Sequence, residues 1–434
     1  MNLTENFVDY LKQKETQITD VVLKKAQECV IDYIGVTIAG AKCNEKKWKH
    51  FIEKLPEGSA NVFGYHNKTD ARTASLINGI NAHTMELDDG HRFAMIHLGA
   101  SIISAVLAAA DERRIGLNDI FKGIVMGYEA ACRVSVAIQP VHKQKGYHTA
   151  GTCGTIGTTI AVCTALRHSK TQMIRALTCS IASAAGMLEI QEQDSELKPY
   201  NLGRAAMDGL TAAYMGETSF GIPEDMLGGE RGFFHIFSDD IFSEEKILAE
   251  QNYFEIERIY VKPYASCRHC HSAIEAALSL RKQVDINSIE KINVYTYKLA
   301  VKGHDHTEIR GVASAKLSIP YSVAVSLVTG KADLSVYEEE ILTEKELLKL
   351  VKKISILEKE EYTKFSPQKR IAELEIITEK GKRFVEKIDY AKGDPENAMS
   401  SEDIFEKSVQ LLRWADHYDT GYKLFEKYSL LSNR

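Results

Sequence analysis

The densest group of acidic and basic side chains in the sequence lies in "NAHTMELDDGHRFAMIHLGAS", residues 81–101. The ionisable residues of this segment are His83, Glu86, Asp88, Asp89, His91, Arg92 and His97. Carboxylates and imidazoles are common general acids and bases, and close neighbours shift their pKa values toward the working pH. The segment predicts a polar catalytic pocket. A solvated loop that leads into a helix capped by Asp88 or Asp89 is the structural alternative.

A second candidate is "KGYHTAGTCGTIGTT", residues 145–159, in which His148 precedes a Gly/Thr-rich turn that opens an apolar helix. The N-terminus of a helix favours negative charge, so this turn could face an anion. The segment lacks the G-K-[ST] of a nucleotide-binding loop, which favours a carboxylate over a triphosphate. Close helix packing through glycine is the structural alternative.

Two lysines and a tyrosine stand beside other predicted elements. Lys198 precedes an Ala-rich helix, and Lys262 ends a predicted strand before the loop that carries Cys267, Arg268 and His269. Tyr321 precedes the apolar helix "PYSVAVSLVTG". A buried core position is the ordinary explanation for such a tyrosine.

The run Cys267-Arg268-His269-Cys270-His271 reads C-x-x-C-H, a pattern that can attach haem or supply half of a zinc site. The sequence has no second C-x-x-C, and its other cysteines are scattered through apolar helical segments. Covalent haem attachment normally follows export, and we find no export signal. We therefore expect neither haem nor a structural metal at this motif, and interpret the loop as a positively charged segment beside a lysine.

The whole-chain composition restricts the classes of partner. The 434 residues are 44% hydrophobic and 26% charged, with a formal net charge of -6. These values are typical of a soluble globular protein with two domains. A mildly acidic chain gives no reason to expect a nucleic acid partner, and an anion site would have to be a local basic pocket.

The termini and apolar stretches predict where the protein acts. The N-terminus, "MNLTENFVDYLKQKETQITD", lacks an apolar signal core, and stretches such as "SIISAVLAAAD" are too short to span a bilayer. We expect no membrane partner and a cytoplasmic location, in which the eight cysteines remain thiols.

The periodicity of apolar residues changes along the chain. The first part is helical and rich in alanine and glycine, whereas "FEIERIYVKPYA", "SIEKINVYTYKLA" and "IAELEIITEKGKRFVEKIDY" alternate as half-buried strands do. The predicted fold class is mostly α. It comprises a large all-helical domain over residues 1–260, a smaller α+β lid domain over 261–395, and a C-terminal helix, 396–434, that returns to the helical domain.

Six segments in this order resemble the MmgE/PrpD family. They are "NAHTMELDDGH…HLGAS", "GYHTAGTCGTIG", "LKPYNLGRAAMDG", "RGFF", "VKPYASCRHCHSAIEAAL" and "IPYSVAVSLVTG". Members include 2-methylcitrate dehydratases, cis-aconitate decarboxylases and iminodisuccinate epimerases. The resemblance implies a helical domain with an α+β lid, a homodimer, and a cleft active site without metal or organic cofactor.

The resemblance also implies site residues by position. The catalytic set is Asp88, Asp89, His97, His148, Lys198, Lys262 and Tyr321. We expect Glu86, His91, Arg92, Arg268, His269 and Cys267 to contact the substrate. The two arginines among them could each hold a carboxylate bidentately.

The sequence departs from the family pattern at three positions. Gly90 stands where members commonly have threonine in D-x-D-D-T, and Leu98 stands where they have proline in H-P-G. Cys267 lies near the position of a histidine in decarboxylase-like members. These changes weigh against cis-aconitate decarboxylation and leave the substrate open.

The expected reaction starts with removal of a proton next to a carboxyl group. His148 or His97 would be the base, and Lys198, Lys262 and Arg268 would neutralise the enediolate. Asp88 or Asp89 would protonate a leaving hydroxyl. We therefore predict a hydro-lyase acting on a small di- or tricarboxylate, with an epimerase, a cis-aconitate-type decarboxylase or a non-catalytic carboxylate-binding protein as alternatives.

Overall fold

Most of the chain folds into helices, and a small sheet lies in its later part. The computed structural model describes residues 2–192 and 195–428. The predicted fold class, a large helical part with a smaller α+β part, is confirmed. The described residues form two compact units. The first contains those up to Glu192, Leu197–Tyr260, and those from Ser400 onward; the second contains Val261–Met399 with Ser195 and Glu196.

The first unit is built mainly from helices. They are α1 (Leu3–Glu15), α2 (Asp20–Ile52), α3 (Ala71–Thr84), α4 (Gly99–Arg113), α5 (Leu117–Ile138), α6 (Val141–Gln144), α7 (Thr149–Ala165), α8 (Lys170–Ser183), α9 (Tyr200–Met215), α10 (Phe233–Ser238) and α11 (Glu244–Leu248). Two short antiparallel strands, β1 (Ala60–Asn61) and β2 (Lys68–Thr69), lie between α2 and α3. Strands of two residues are too short to show an alternating pattern, and so the sequence did not reveal them.

Helix α7 runs through the core of the first unit and is buried along its whole length. It packs against α4, α5, α8 and α9. Small residues allow this packing: a Cβ at Gly157 would lie 2.7 Å from the carbonyl oxygen of Gly127 on α5. The Gly/Thr-rich sequence of α7 therefore lets neighbouring helix backbones approach closely.

The second unit combines a mixed sheet with helices. The strands are β3 (Ile289–Thr296), β4 (Ile354–Glu358), β5 (Ala372–Thr378) and β6 (Arg383–Ile388), in the order β4-β3-β5-β6. Only the β3–β4 pair among these is parallel. The helices are α12 (His271–Leu280), α13 (Lys298–Val301), α14 (Val312–Leu317), α15 (Ile319–Thr329), α16 (Glu339–Leu342), α17 (Lys345–Val351) and α18 (Glu360–Phe365). Helix α12 packs on β5, β6 and α15.

The predicted strand in "FEIERIYVKPYA" does not form. Its first half is a 3₁₀ turn over Glu255–Arg258, and Tyr260 makes a single bridge with Gly90. Side chains take the backbone donors that a ladder would need, because Phe254 N donates to Glu257 and Glu255 N donates to Glu129. Side-chain acceptors, one from the same turn and one from helix α5, therefore replace strand pairing here.

The charged segment "YEEEILTEKELLKLVKKISILEKEE", residues 337–361, has a composition that predicts a single helix, but it is divided in the structure. It contains α16, α17 and strand β4, with α18 starting at Glu360. Ile354 and Ile356 are β-branched and pair with Ile292 and Val294 of β3. This long-range pairing outweighs the local helix propensity of the surrounding glutamates and lysines.

The chain returns to the first unit through α19 (Ser401–Trp414) and α20 (Tyr418–Lys427). Ser400 and Asp403 form a capping box at the start of α19. Helix α19 packs on α2, where Ser408 donates to the carbonyl of Ile31 and Lys407 pairs with Asp32 at 2.7 Å. Across residues 2–192 and 195–428, none of the helices is both long and apolar enough to cross a bilayer.

Candidate active site

A 14-residue loop between α3 and α4 carries three of the seven predicted catalytic side chains, those of Asp88, Asp89 and His97. Helix α3 starts at Asp70, whose carboxylate accepts from the next backbone amides, and ends at Thr84. Glu86 then adopts a left-handed backbone with φ 54°, which is uncommon for a residue with a side chain. Backbone strain of this kind clusters at functional sites.

His83 and His97 share one carboxylate, Asp88. His83 Nδ1 lies 2.8 Å from Asp88 Oδ2, and His97 Nδ1 lies 3.4 Å from the same oxygen. The two rings are 4.8 Å apart between centroids. Asp88 and His83 are buried, whereas the side chain of His97 is 18% exposed. Of the three, His97 is thus the group within reach of a ligand from solution.

The hydrogen bonds of His97 define which ring nitrogen carries its proton. Nδ1 lies 2.8 Å from the carbonyl oxygen of Asp89, and a carbonyl only accepts. Nδ1 therefore carries the proton, and Nε2 of neutral His97 holds the lone pair. A carboxylate beside an imidazole N–H also favours the imidazolium, so this arrangement suits a general base.

Glu86 connects this group to Lys198. Its Oε1 lies 3.4 Å from His83 Nε2 and forms an ion pair with the ammonium of Lys198, in the segment just before α9. Both side chains of the ion pair are mostly buried. The structure thus brings the predicted residues Glu86, Asp88, His97 and Lys198 into one cluster within the first unit.

His148 occupies the N-cap position of α7 and is buried. Burial lowers its pKa well below the usual value, and the nearby charge of Lys198 lowers it further. Asn201 Nδ2 lies 3.0 Å from His148 Nδ1 and 3.4 Å from the carbonyl of Met187. Since an amide nitrogen only donates, Nδ1 accepts, and His148 is a neutral imidazole with its proton on Nε2.

Asp89 caps helix α4 instead of facing the histidines with its carboxylate. Its oxygens accept from the backbone N–H of Gly99 at 2.9 Å and from the Tyr128 hydroxyl at 2.5 Å. A Cβ at Gly99 would lie 2.9 Å from the Tyr128 oxygen, so glycine permits this close approach. Burial raises the pKa of Asp89 to about 6, against the two hydrogen bonds that lower it, and the charge of Asp88 adds to the rise.

His91 and Arg92 lie on the far part of the loop. His91 is fully buried, accepts from Ala94 N at Nδ1, and pairs with Glu255 at 3.0 Å through Nε2. Burial lowers its pKa, although Glu255 acts in the opposite direction. Arg92 is also buried, with its guanidinium over the ring of Phe93. For both residues, this geometry favours a role in holding the loop conformation over direct contact with a substrate.

Gly90, the position at which family members commonly have threonine, lies against Tyr260. The two residues exchange backbone hydrogen bonds of 3.1 and 2.8 Å. A Cβ at Gly90 would collide with the hydroxyl oxygen of Tyr260. The Tyr260 ring also meets that of His97 edge-on at 6.4 Å. A tyrosine hydroxyl therefore fills the space of the missing threonine side chain.

In the second unit, Lys262 and Arg268 are both buried, and the guanidinium of Arg268 is paired with groups of the same chain. The Arg268 guanidinium pairs with Asp394 at 2.8 Å and donates to the carbonyls of Lys392 and Ala391. Both side chains of the ion pair are buried. Its geometry therefore favours a structural role in joining two segments of this unit.

Tyr321 has the geometry of a core residue. It is fully buried, and its hydroxyl donates to the carbonyl of Val336 at 2.5 Å. Burial raises its pKa above the usual value. Cys267 and His269 are half-buried, and His304 joins them through a contact of 4.0 Å between its Nε2 and the Cys267 sulfur.

Three groups of side chains within the described ranges have donor atoms that all lie within 4.8 Å of one another. They are His83, Asp88 and His97; His91, Cys132 and Glu255; and Cys267, His269 and His304. The first is the imidazole–carboxylate group described above. The second is entirely buried.

From the sequence, no individual role was assigned to His83, Tyr260 or His304. His83 belongs to the acidic segment, five residues before Asp88. It lies on the last turn of α3, and its ring contacts the Asp88 carboxylate on the loop. Tyr260 and His304 gave no usable signal, because only folding brings them to Gly90 and Cys267.

Comparisons with known proteins agree with the two-part chain. A model of the MmgE/PrpD N-terminal domain matches residues 5–245, and a model of the MmgE/PrpD C-terminal domain matches residues 264–419. "Cis-aconitate decarboxylase" of Aspergillus terreus is 25% identical, over 79% of this chain and 75% of the relative. "Cis-aconitate decarboxylase-like protein oryM" of Aspergillus oryzae is 24% identical, over 84% and 81%. "Cis-aconitate decarboxylase" of Homo sapiens is 21% identical, over 95% and 89%. The chain belongs to the MmgE/PrpD family.

Proposed function

We propose that the chain is a lyase, and specifically a hydro-lyase that removes water from a small di- or tricarboxylate. One observation carries the proposal: the His83–Asp88–His97 group, which presents an oriented imidazole, lies beside the Glu86–Lys198 ion pair. A base and a cation together are what proton removal next to a carboxylate needs. The proposed steps use side chains alone.

In the first step, Nε2 of His97 removes the proton from the carbon next to a carboxyl group. The electron pair of the broken C–H bond moves into an enediolate. Asp88, which lies 3.4 Å from Nδ1, stabilises the imidazolium that forms. His97 is thus the catalytic base, and Asp88 is a positioning residue.

The enediolate then needs positive charge and hydrogen-bond donors. Lys198 supplies the charge within the first unit, whereas the role of Lys262, in the second unit, stays a prediction. His148 contributes differently from the expected base, because its pKa is far below the usual value owing to burial and it stays neutral. Its Nε2–H can donate to an enediolate oxygen without taking up the substrate proton.

In the last step, the enediolate expels the hydroxyl from the neighbouring carbon. The C–O bond breaks, a C=C bond forms, and the proton on His97 Nε2 passes to the hydroxyl, which leaves as water. Asp89 is not needed as the acid, since its carboxylate already caps α4.

Decarboxylation is the second candidate, because the relatives named above are called cis-aconitate decarboxylases. In that reaction His97 would start as the imidazolium and protonate carbon as carbon dioxide leaves. Gly90, Leu98 and Cys267, the departures from the family pattern, weigh against a direct transfer of that activity.

The test is turnover of 2-methylcitrate, citrate, cis-aconitate and iminodisuccinate by the purified chain, followed by NMR in D₂O. Loss of water supports the hydro-lyase, whereas loss of carbon dioxide supports the decarboxylase. Deuterium uptake without either loss would select an epimerase, and binding without turnover would select a non-catalytic protein.

The variant that tests the base is His97→Gln, with His66→Gln, a change of an exposed histidine, as its control. We expect His97→Gln to lower kcat by about 10²–10⁴-fold. Full activity in His97→Gln would remove this histidine from the reaction.

A further inference from the structure

A second chemical group lies in the second unit, apart from the residues used in the proposed reaction. The sulfur of Cys267 and the imidazoles of His269 and His304 have donor atoms within 4.8 Å of one another. Cys267 and His269 flank the start of the 3₁₀ turn Arg268–Cys270, and His304 follows α13. All three are half-buried, so an ion from solution could reach them.

The two histidines are held in the manner of metal ligands. His304 Nδ1 lies 2.9 Å from the carbonyl oxygen of Leu317 and therefore carries the proton. This directs the lone pair of its Nε2 to the side of Cys267, whose sulfur is 4.0 Å away. His269 Nδ1 lies 2.5 Å from the hydroxyl of Tyr297. Hydrogen bonds from one ring nitrogen to a carbonyl or similar group typically orient metal-binding histidines.

The donor atoms lie within 4.8 Å of one another, and the separation of Cys267 and His304 fits a tetrahedral ion after a small adjustment. Zinc binds sulfur at about 2.3 Å and imidazole nitrogen at about 2.0 Å, which sets ligand atoms about 3.3–3.6 Å apart. The Cys267–His304 distance of 4.0 Å would have to close by only about 0.4 Å. Side-chain rotation is sufficient for a change of that size.

We propose that Cys267, His269 and His304 form a binding site for a divalent ion of borderline softness, such as Zn²⁺. One thiolate and two imidazoles favour Zn²⁺ or Co²⁺ over Mg²⁺ or Ca²⁺, which prefer oxygen ligands. Three protein ligands keep a fourth position for water or a carboxylate oxygen. This goes beyond the proposed function, in which no step uses a metal.

The proposal also departs from the sequence-based expectation of no metal, which considered Cys267 together with Cys270. The Cys270 thiol is buried against the carbonyl of Lys316, at 4.0 Å. His304, which lies 37 residues after Cys267, is the neighbouring ligand in the fold, whereas the C-x-x-C spacing predicts Cys270. The charge of the intervening Arg268 is balanced by Asp394.

The experiment is a Co²⁺ titration of the full chain after removal of metals with a chelator. We expect the visible absorption of tetrahedral cobalt with a near-ultraviolet thiolate-to-cobalt band, and displacement of cobalt by Zn²⁺. Absence of that thiolate band in the wild-type protein overturns the proposal, whatever the catalytic activity.

Two variants identify the ligands. Cys267→Ser should abolish the thiolate band, and His304→Gln should weaken Zn²⁺ binding by more than about 100-fold, since loss of an outer partner alone costs about 10–100-fold. The control is Cys43→Ser, which removes an exposed thiol on α2 and should leave the band unchanged. Loss of the band in Cys43→Ser with retention in Cys267→Ser would overturn the assignment.

Discussion

At the scale of single residues, hydrogen bonds distinguish the two histidines that the sequence left equivalent. His97 donates from Nδ1 to a carbonyl, whereas His148 accepts at Nδ1 from an amide. The first therefore presents a lone pair at Nε2, and the second presents a proton. Residue types in a motif do not contain this information, because the partners Asp89 and Asn201 become neighbours only in the fold.

The neutral state of His148 gives a prediction for pH dependence. Burial and the nearby Lys198 hold the pKa of His148 well below its usual value, and Asn201 donates to its Nδ1, so His148 remains uncharged near neutral pH. We expect His148→Leu to lower kcat by about 10²–10³-fold, as loss of an oxyanion donor does, without moving the acidic limb of the kcat–pH profile. A shift or loss of that limb would identify His148 as the titrating base.

We expect the hydroxyl group of Tyr260 to take the role of the side-chain hydroxyl that is missing at position 90. Tyr260→Phe should lower kcat/KM by about 10-fold, the effect of one hydrogen bond, while thermal stability changes little. The control is Tyr295→Phe, which removes a hydroxyl that donates to Glu375 on the sheet of the second unit. In Tyr260→Ala, adding Gly90→Thr should restore part of the activity; no recovery would argue against the shared role.

At the scale of secondary structure elements, Asp89 makes the stability of helix α4 depend on pH. Its pKa rises from 3.8 to about 6 on folding, chiefly through burial. The folded chain therefore binds more protons than the unfolded chain between these values, and stability decreases as the pH rises through this window. The change of about two pKa units corresponds to about 3 kcal/mol.

The test is the free energy of unfolding of Asp89→Asn at pH 4, 5.5 and 7. The variant should gain about 3 kcal/mol relative to wild type between pH 4 and 7, since asparagine does not ionise. Asp70→Asn at the start of α3 is the control, because its lowered pKa confines its effect on stability to pH values below about 4. Burial raises the pKa of Asp70, but hydrogen bonds from Thr73 and Arg72 outweigh it and lower the pKa overall. Equal pH dependence in both variants would contradict the argument.

The buried Arg268–Asp394 ion pair joins the segment before α12 to the segment before the 3₁₀ turn Pro395–Asn397. Asp394→Asn should destabilise the chain by about 3–5 kcal/mol, because it leaves a buried guanidinium without its counter-charge. The KM for substrate should not change. Glu308→Gln, which breaks the exposed pair with Arg310, should cost less than about 1 kcal/mol. A large rise in KM with unchanged stability would instead support the predicted substrate contact of Arg268.

Element types were predictable where one period extended over many residues. Helices α2, α5 and α7 and strand β5 follow from their apolar patterns, and β5 alternates between buried and half-buried residues along its length. The strand expected near Tyr260 and the single helix expected over 337–361 were wrong, because long-range partners and local caps decided those segments.

At the scale of the whole molecule, the six short motifs together indicated the family, whereas no single motif was sufficient to indicate the site. They identified the acidic loop, His148 and Lys198, which cluster in the first unit. The same motifs gave no reason to separate Tyr321 and Arg268, which have structural partners, from these residues. The domain limits at 260 and 395 stay predictions.

We propose that the chain forms a homodimer, as the family resemblance implies. The first unit exposes large apolar side chains around the start of α9, including Met187, Leu197 and Tyr200, and such surfaces often lie in interfaces. Size-exclusion chromatography with light scattering should give twice the mass of one chain over a range of concentrations. A monomer mass at every concentration would contradict the proposal.

The return of α19 onto α2 has a consequence for biosynthesis. A ribosome makes α2 early and α19 only after the entire mixed-sheet unit has emerged. The surface of α2 that contacts Ser408 therefore has no packing partner from α19 during most of translation. Nascent chains stalled before Ser401 should expose this apolar helix face to chaperones, and release of the last helices should end that binding.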